Sequence, residues 1–187
     1  GELIGELNCS HTYTGGGDQP RPPRIGTGVL GCDFRLAPGA DRYQIVNILR
    51  ERDWNADERT PLVGPGIDAR EGDYLLAVDG VELRAPANPY RPFVDKVDRQ
   101  VTLKLAAAPD GKDPREVVVQ PVASETRLRY VKWVGDNRRK VAELSQGRIG
   151  YFHMPNTATA GIQEFARGYY PQLRRDALIV DERNNGG

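Results

Sequence analysis

Hydrophobic residues recur along this chain at two periods, and the place where the period changes divides it. Between residues 24 and 122 they come in short runs separated by turn residues. Residues 32–36 and 43–49 are rich in aromatic and β-branched side chains and predict extended strands, while residues 53–65 are polar, bounded by proline, and predict a loop. Tyr74-Leu75-Leu76-Ala77-Val78 predicts another strand, and the Asp79-Gly80 behind it predicts a hairpin turn, because that turn needs residues that tolerate positive φ. After Pro89, the positions of Tyr90, Phe93, Val94 and Val97 match helical spacing and predict a helix over residues 90–97. Residues 101–105 and 116–119 alternate as a closing strand pair.

Beyond Pro121 the period lengthens. Leu128, Val131, Val134, Val141 and Leu144 share one helical face across residues 126–145, and Gly147 supplies a C-terminal stop. Residues 149–152 read as a strand, residues 160–173 as a helix with Ile162, Phe165, Ala166 and Tyr169 inward, and residues 177–180 as a second buried strand. Strand, helix, strand in that order predicts a right-handed parallel crossover, the opening of an α/β sheet that these residues do not complete. At the other end, residues 3–7 form a short apolar strand candidate, followed by Gly15-Gly16-Gly17 and a proline-rich stretch to Pro23 that predicts a linker. The expected class is α+β: a β-rich module with one main helix at 24–122, preceded by residues 1–23 and followed by a partial α/β unit at 123–187.

Composition narrows the functions open to such a chain. Twenty-six basic residues balance twenty-six acidic ones at a pI near 6.9, so no summed field draws the chain to nucleic acid or anionic lipid. No run approaches the roughly eighteen apolar residues of a membrane span, and the first residues lack the basic stretch of a signal peptide, so a soluble, cytoplasmic protein is expected. Cys9 and Cys32 lie in segments of different character, which fits reduced thiols better than a disulfide framework. Two histidines and two cysteines without close spacing give no metal pattern, and no cofactor is expected.

Several residues carry candidate chemistry. Histidine titrates near neutrality, so His11 can serve as a general base, although a single histidine before a polar loop is more commonly structural. Ser10 beside it can assist only if the backbone turns there, because neighbours on a strand point to opposite faces. His153, between apolar neighbours, reads as a hydrogen-bonded packing residue and stays outside the catalytic set. Gly186 and Gly187 follow a buried strand, where a glycine loop is either a tight turn or a source of N–H groups aimed at a developing oxyanion. Gly26-Thr27-Gly28-Val29-Leu30-Gly31 spells a dinucleotide fingerprint without the strand before it or the helix after it. Gly28, Val29 and Leu30 are read instead as a glycine loop leading into an edge strand, either a plain linker-to-strand turn or, as in peptide-binding domains that add a strand to a sheet edge, a loop offering N–H groups to a peptide carboxylate.

Three blocks of sequence resemble a known family. Gly66-Ile67-Asp68-Ala69-Arg70-Glu71-Gly72-Asp73-Tyr74-Leu75-Leu76-Ala77-Val78-Asp79-Gly80-Val81 resembles the signature of protease-associated PDZ domains. Leu128-Arg129-Tyr130, Trp133, Ile149-Gly150-Tyr151-Phe152-His153-Met154-Pro155, Leu178-Ile179-Val180-Asp181 and Asn185-Gly186-Gly187 resemble the entry to the catalytic core of tricorn proteases, with Asn8-Cys9-Ser10-His11 in the place of that family's Ser-His dipeptide. The resemblance implies a piece of a cytoplasmic, homo-oligomeric serine peptidase that cleaves peptides released by the proteasome. In it His11 is the general base, Ser10 joins a hydrogen-bonded relay, and Gly186 and Gly187 begin the oxyanion loop. The nucleophilic serine would lie outside the chain, so the isolated chain is expected to be inactive. A non-catalytic PDZ module for peptide binding or assembly is the competing expectation.

Overall fold

Alternation in the first half of the chain becomes an antiparallel sheet in the computed structural model, which describes residues 2–8, 12–13, 15–18, 20, 25–51 and 58–187. The strands are β1 (Asp33–Leu36), β2 (Tyr43–Val46), β3 (Tyr74–Val78), β4 (Val81–Glu82), β5 (Val101–Ala106) and β6 (Arg115–Val119). They run in the order β1-β2-β3-β5-β6, with β4 folded back on β3 through Asp79 and Gly80, both left-handed as the hairpin turn requires. One face of the sheet is the core. Ile45, Leu75, Leu103 and Leu105 point into it from neighbouring strands, and Phe93 closes it from above. Arg42 is buried beside the hairpin. It donates to the Leu76 and Leu83 carbonyls at 3.1 and 2.7 Å and pairs with Glu82, so its charge and donors are satisfied where they lose water.

The second half forms α2 (Thr126–Leu144), β7 (Ile149–His153), α3 (Thr159–Tyr169) and β8 (Ala177–Asp181), after a first short helix, α1 (Glu2–Gly5). β7 and β8 pair in parallel, Ile149 opposite Ala177 through His153 opposite Asp181, so the expected crossover is present. α2 stops where Gln146 and Gly147 turn left-handed and Gly147 N–H reaches back to the Ala142 carbonyl at 2.7 Å. Ion pairs fasten α2 to the β-rich module. Arg129 pairs with Asp33 at 2.7 Å, and the Glu51 carboxylate lies on the helix between Arg138 and Arg139, at 2.9 and 2.6 Å. Gly135 makes that approach possible, since a Cβ there would stand 2.1 Å from the Glu51 carboxyl group.

Four expectations need correction. Residues 177–180 form a strand but not a buried one: Ile179 and Val180 are 43% and 46% exposed, because among the described residues β8 is an edge of a two-stranded sheet. Residues 3–7 form no strand: Glu2–Gly5 is a turn of helix, because no strand among the described residues pairs with it and the backbone bonds locally, as in Leu7 N–H to Ile4 O at 3.2 Å. The helix expected over residues 90–97 is one 3-10 turn, Arg91–Phe93. Val94 is already extended and bridges Thr27, and Asp95 has a φ of 56°, so the spacing of apolar residues matched a helix that the backbone does not make. In α3 the expected inward face holds only in part: Phe165 meets the Phe152 ring edge to face at 5.7 Å, but the closest contacts fall elsewhere. Ile162 is 64% exposed, while Gly161 and Gly168 face the rest of the unit: a Cβ on Gly168 would lie 2.4 Å from the Phe152 Cβ, and one on Gly161 1.7 Å from the Asn156 carbonyl oxygen. Small residues let the helix sit directly on β7. The helix also ends earlier than residue 173, because Pro171 falls within a 3-10 turn at Tyr170–Gln172.

Candidate functional site

Parallel strands deliver their carboxyl ends to one edge of a sheet, and in open α/β sheets ligands are taken at that edge. Here it holds the end of β7, the end of β8 and the loops that leave them. Asp181, the last residue of β8, is buried and organises the corner. Tyr151 donates its hydroxyl hydrogen to Asp181 Oδ2 at 2.6 Å, and Asn137 Nδ2 from α2 donates to Tyr151 Oη at 3.2 Å. Arg183 folds back on the same carboxylate with Nε at 2.9 and 3.0 Å and Nη2 at 2.5 Å. A buried carboxylate is tolerated because every side of it is answered by a donor.

The loop after Asp181 is tied to the segment after His153 at each step. Met154 N–H donates to Asp181 O at 2.8 Å, and Asn185 Nδ2 donates to Met154 O at 3.0 Å. Gly186 N–H donates to Pro155 O at 3.0 Å, and Thr157 N–H donates to Gly187 O at 2.9 Å. Gly187 N–H is held by Asn185 Oδ1 at 2.8 Å. The glycine loop is therefore built rather than loose. The amides of Gly186 and Gly187 are themselves committed to these bonds, so these two residues shape the loop and do not aim their N–H groups outward.

His153 is buried at the same corner, 3% exposed. Nε2 lies 2.7 Å from the Arg183 carbonyl, which can only accept, so Nε2 carries the hydrogen; Nδ1 shares a 2.9 Å bond with the Tyr130 hydroxyl. The ring also meets Trp133 edge to face at 5.0 Å. With both nitrogens used and two aromatic neighbours, His153 is the hydrogen-bonded packing residue that the sequence suggests.

Ser10 and His11 lie outside the described residues, as does Cys9. Gly28, Val29 and Leu30 are placed on an inner path of the module. Gly28 N–H donates to Phe93 O and Val29 N–H to Val122 O, both at 2.9 Å, and a Cβ on Gly28 would meet Pro121 at 2.6 Å. Those two amides are spent inside the fold, which weighs against their use for a peptide carboxylate. Cys32 is buried and burial pushes its thiol up to about 12, so it is inert at neutral pH. Among the described residues no cluster of histidine, cysteine and carboxylate side chains is arranged to hold a metal ion, and no helix is long and apolar enough to cross a membrane. Sequence reasoning missed the Asn137–Tyr151–Asp181–Arg183 cluster. Its one visible signal was an aspartate closing an apolar strand.

The cluster carries an expected pH dependence on both sides of neutrality. Arg183 first, and then Tyr151, hold the Asp181 carboxyl below the usual carboxylate range, against burial that works the other way. A lowered carboxyl pKa stabilises the fold fully above the unfolded value, near ~4, and that contribution is lost as the pH falls toward the lower folded value. Burial first, and then the bond to Asp181, push the Tyr151 hydroxyl up to about 12. A raised phenol pKa stabilises the fold fully below its unfolded value, near ~10, and the contribution disappears as the pH climbs past that toward the folded one. Near-ultraviolet circular dichroism with pH should show both losses, with Asp181→Asn flattening the acid arm and Tyr151→Phe the alkaline arm. An unchanged acid arm in Asp181→Asn would refute the assignment.

A family model described as the tricorn protease PDZ domain matches residues 28–124. The chain is 35% identical over 191 residues to the tricorn protease of Thermoplasma volcanium and 36% identical over 186 residues to a tricorn protease homolog of Saccharolobus solfataricus, in each case along its whole length. It spans 18% and 17% of the length of those two relatives. A crystal structure of the tricorn protease superposes on 100% of this chain, and on 18% of its own, with a TM-score of 0.82 at 31% identity.

Proposed function

Because the chain belongs to the tricorn protease family, we propose that it forms part of a serine peptidase that hydrolyses peptides, contributing the PDZ domain and the entry to the catalytic core. The observation that carries this reading is the glycine loop, brought by parallel β7 and β8 to the carboxyl edge and fixed there by bonds to Pro155 and Thr157. Acyl transfer needs a nucleophile, a base and donors for the oxyanion. His11, by its match to the family's Ser-His dipeptide, is the base: it takes the proton from a serine hydroxyl outside these residues and returns it to the leaving amine. Ser10 relays a hydrogen bond that keeps the imidazole oriented. Gly186 and Gly187 position the loop, and the outward-facing N–H that receives the oxyanion comes from the backbone that continues it. Preorganisation is what makes such donors effective, since a loop already tied down pays no reordering cost in the transition state.

The same reading gives a cytoplasmic homo-oligomer whose substrates are peptides released by the proteasome. Sedimentation of the natural polypeptide that contains these residues should show an oligomer, and a monomer would remove that element. Labelling by a fluorophosphonate tests the chemistry. The natural polypeptide should label and release a fluorogenic peptide's reporter, whereas the 187-residue chain, which brings a base without its nucleophile, should not label. Failure of the natural polypeptide to label would favour the non-catalytic peptide-binding reading.

A further inference from the structure

Beside the glycine loop, on the α2 side of His153, lies an open depression of ≈ 760 Å³. Its walls come from three places in the chain: Tyr130 and Trp133 on one face of α2, His153 and Pro155 at and beyond the end of β7, and Arg183 and Asn184 beyond β8. Among the described residues that line it, none brings a free charge. The Arg183 guanidinium is paired with Asp181 at 2.5 Å and lies over the Trp133 ring, 4.9 Å from its centre. Arg127, at the rim, is paired with buried Glu58 at 2.5 Å and lies 5.1 Å from the centre of the Tyr130 ring. His153 has both nitrogens occupied. What the depression presents is therefore mainly ring faces, ring edges and a proline, with Ser124 and Thr126 at the rim, Asn184 in one wall and its cations neutralised from behind.

Such a surface selects by shape and water exclusion. A carboxylate entering it would lose hydration and meet guanidinium groups whose partners are already in place, and an ammonium would meet two cations across its path. An apolar ring or branched chain loses nothing on leaving water and gains contact with planar walls. Position decides what kind of molecule brings it. Asn184 lines the depression and Gly187 is three residues further along, so the two are separated by at most about 10 Å of extended chain. A group held here is within about three residues' reach of a peptide bond lying at the glycine loop.

We infer that this depression is a subsite for an apolar, preferably aromatic, side chain of the peptide substrate, an assignment that rests on the peptidase reading. The test begins without turnover. The 187-residue chain, carrying Trp54→Phe so that Trp133 is its sole indole, is titrated with N-acetyl-L-phenylalaninamide while the Trp133 indole N–H resonance is followed by NMR. A saturable shift is expected. It should weaken at least about tenfold in Thr126→Phe, which fills the exposed rim, and persist in Thr126→Ala, which leaves it open. The equivalent amide of aspartic acid should give no saturable shift. Absence of saturation with the phenylalanine amide, an equal response to the aspartic acid amide, or an undiminished response in Thr126→Phe overturns the proposal. In the natural polypeptide, Thr126→Phe should raise KM for peptides bearing phenylalanine near the cleaved bond and leave kcat in place. Saturable binding in a polypeptide that fails to label with fluorophosphonate would overturn the substrate assignment through the peptidase reading, whereas labelling without binding overturns the subsite alone.

Discussion

Replacing Phe93 with alanine is expected to remove about 3–5 kcal/mol of stability, a large part of the roughly 5–15 kcal/mol that holds an ordinary domain together. Phe93 is fully buried, and it reaches the core from a single 3-10 turn instead of a rigid helix. The ring packs among residues that the strands bring from far apart in sequence, Ile45 and Leu103 among them, so its loss leaves a cavity that neighbouring strands cannot close without breaking register. Its backbone matters too, since the Phe93 carbonyl accepts from Gly28 and Lys96 and secures the first segment of the module. Those bonds survive the substitution, which confines the expected loss to packing. Val118 on the outer face of β6 is the control, because Val118→Ala at an exposed position should change stability by no more than about 0.5 kcal/mol. Urea denaturation of both variants decides the matter. A midpoint shift for Phe93→Ala no larger than that for Val118→Ala would mean that the core is not centred where the structure places it.

The second large effect separates the two histidines. His11→Ala in the natural polypeptide is expected to lower peptide hydrolysis by about 10²–10⁴-fold, the usual worth of a positioned base, while leaving the melting temperature unchanged. His153→Ala is expected to do the reverse in kind. It would take the imidazole donor from the Arg183 carbonyl and remove the Tyr130–His153 bond, at about 1–3 kcal/mol, and it would loosen the start of the glycine loop. Comparing hydrolysis with thermal melting for the two variants reads out both roles. Full turnover in His11→Ala would remove His11 from catalysis. An unchanged melting temperature in His153→Ala would remove the packing role.

Much of this protein was fixed by local pattern. Alternation in residues 101–105 and 116–119 suits strands with one face buried, the continuous apolar run at 74–78 suits a strand buried on both, and Asp79-Gly80 supplies the turn behind it, so these strands were legible from the order of residues. The strand, helix and strand of the second half were equally legible, because a parallel pair joined by one helix is the compact arrangement such a series permits. The family was legible from the motif blocks for the same reason: they lie where backbone geometry demands particular residues.

Tertiary structure decided the rest. Residues 90–97 carry a helical spacing, yet Val94 is needed as a bridge to Thr27, and that long-range pairing outweighs a preference worth a fraction of a kilocalorie per residue. The closest approaches of α3 belong to Gly161 and Gly168, since apolar periodicity marks which side of a helix is hydrophobic and says nothing about which neighbour will come close enough to require glycine. The corner where Asn137, Tyr151, Asp181 and Arg183 meet, and the aromatic depression beside it, draw on residues from α2, β7 and beyond β8. No window along the chain contains them together. Their chemistry arises only when a parallel crossover brings two strand ends to one edge and an ion-paired helix is laid across it, and contacts between residues so distant in sequence are properties of the fold rather than of any segment.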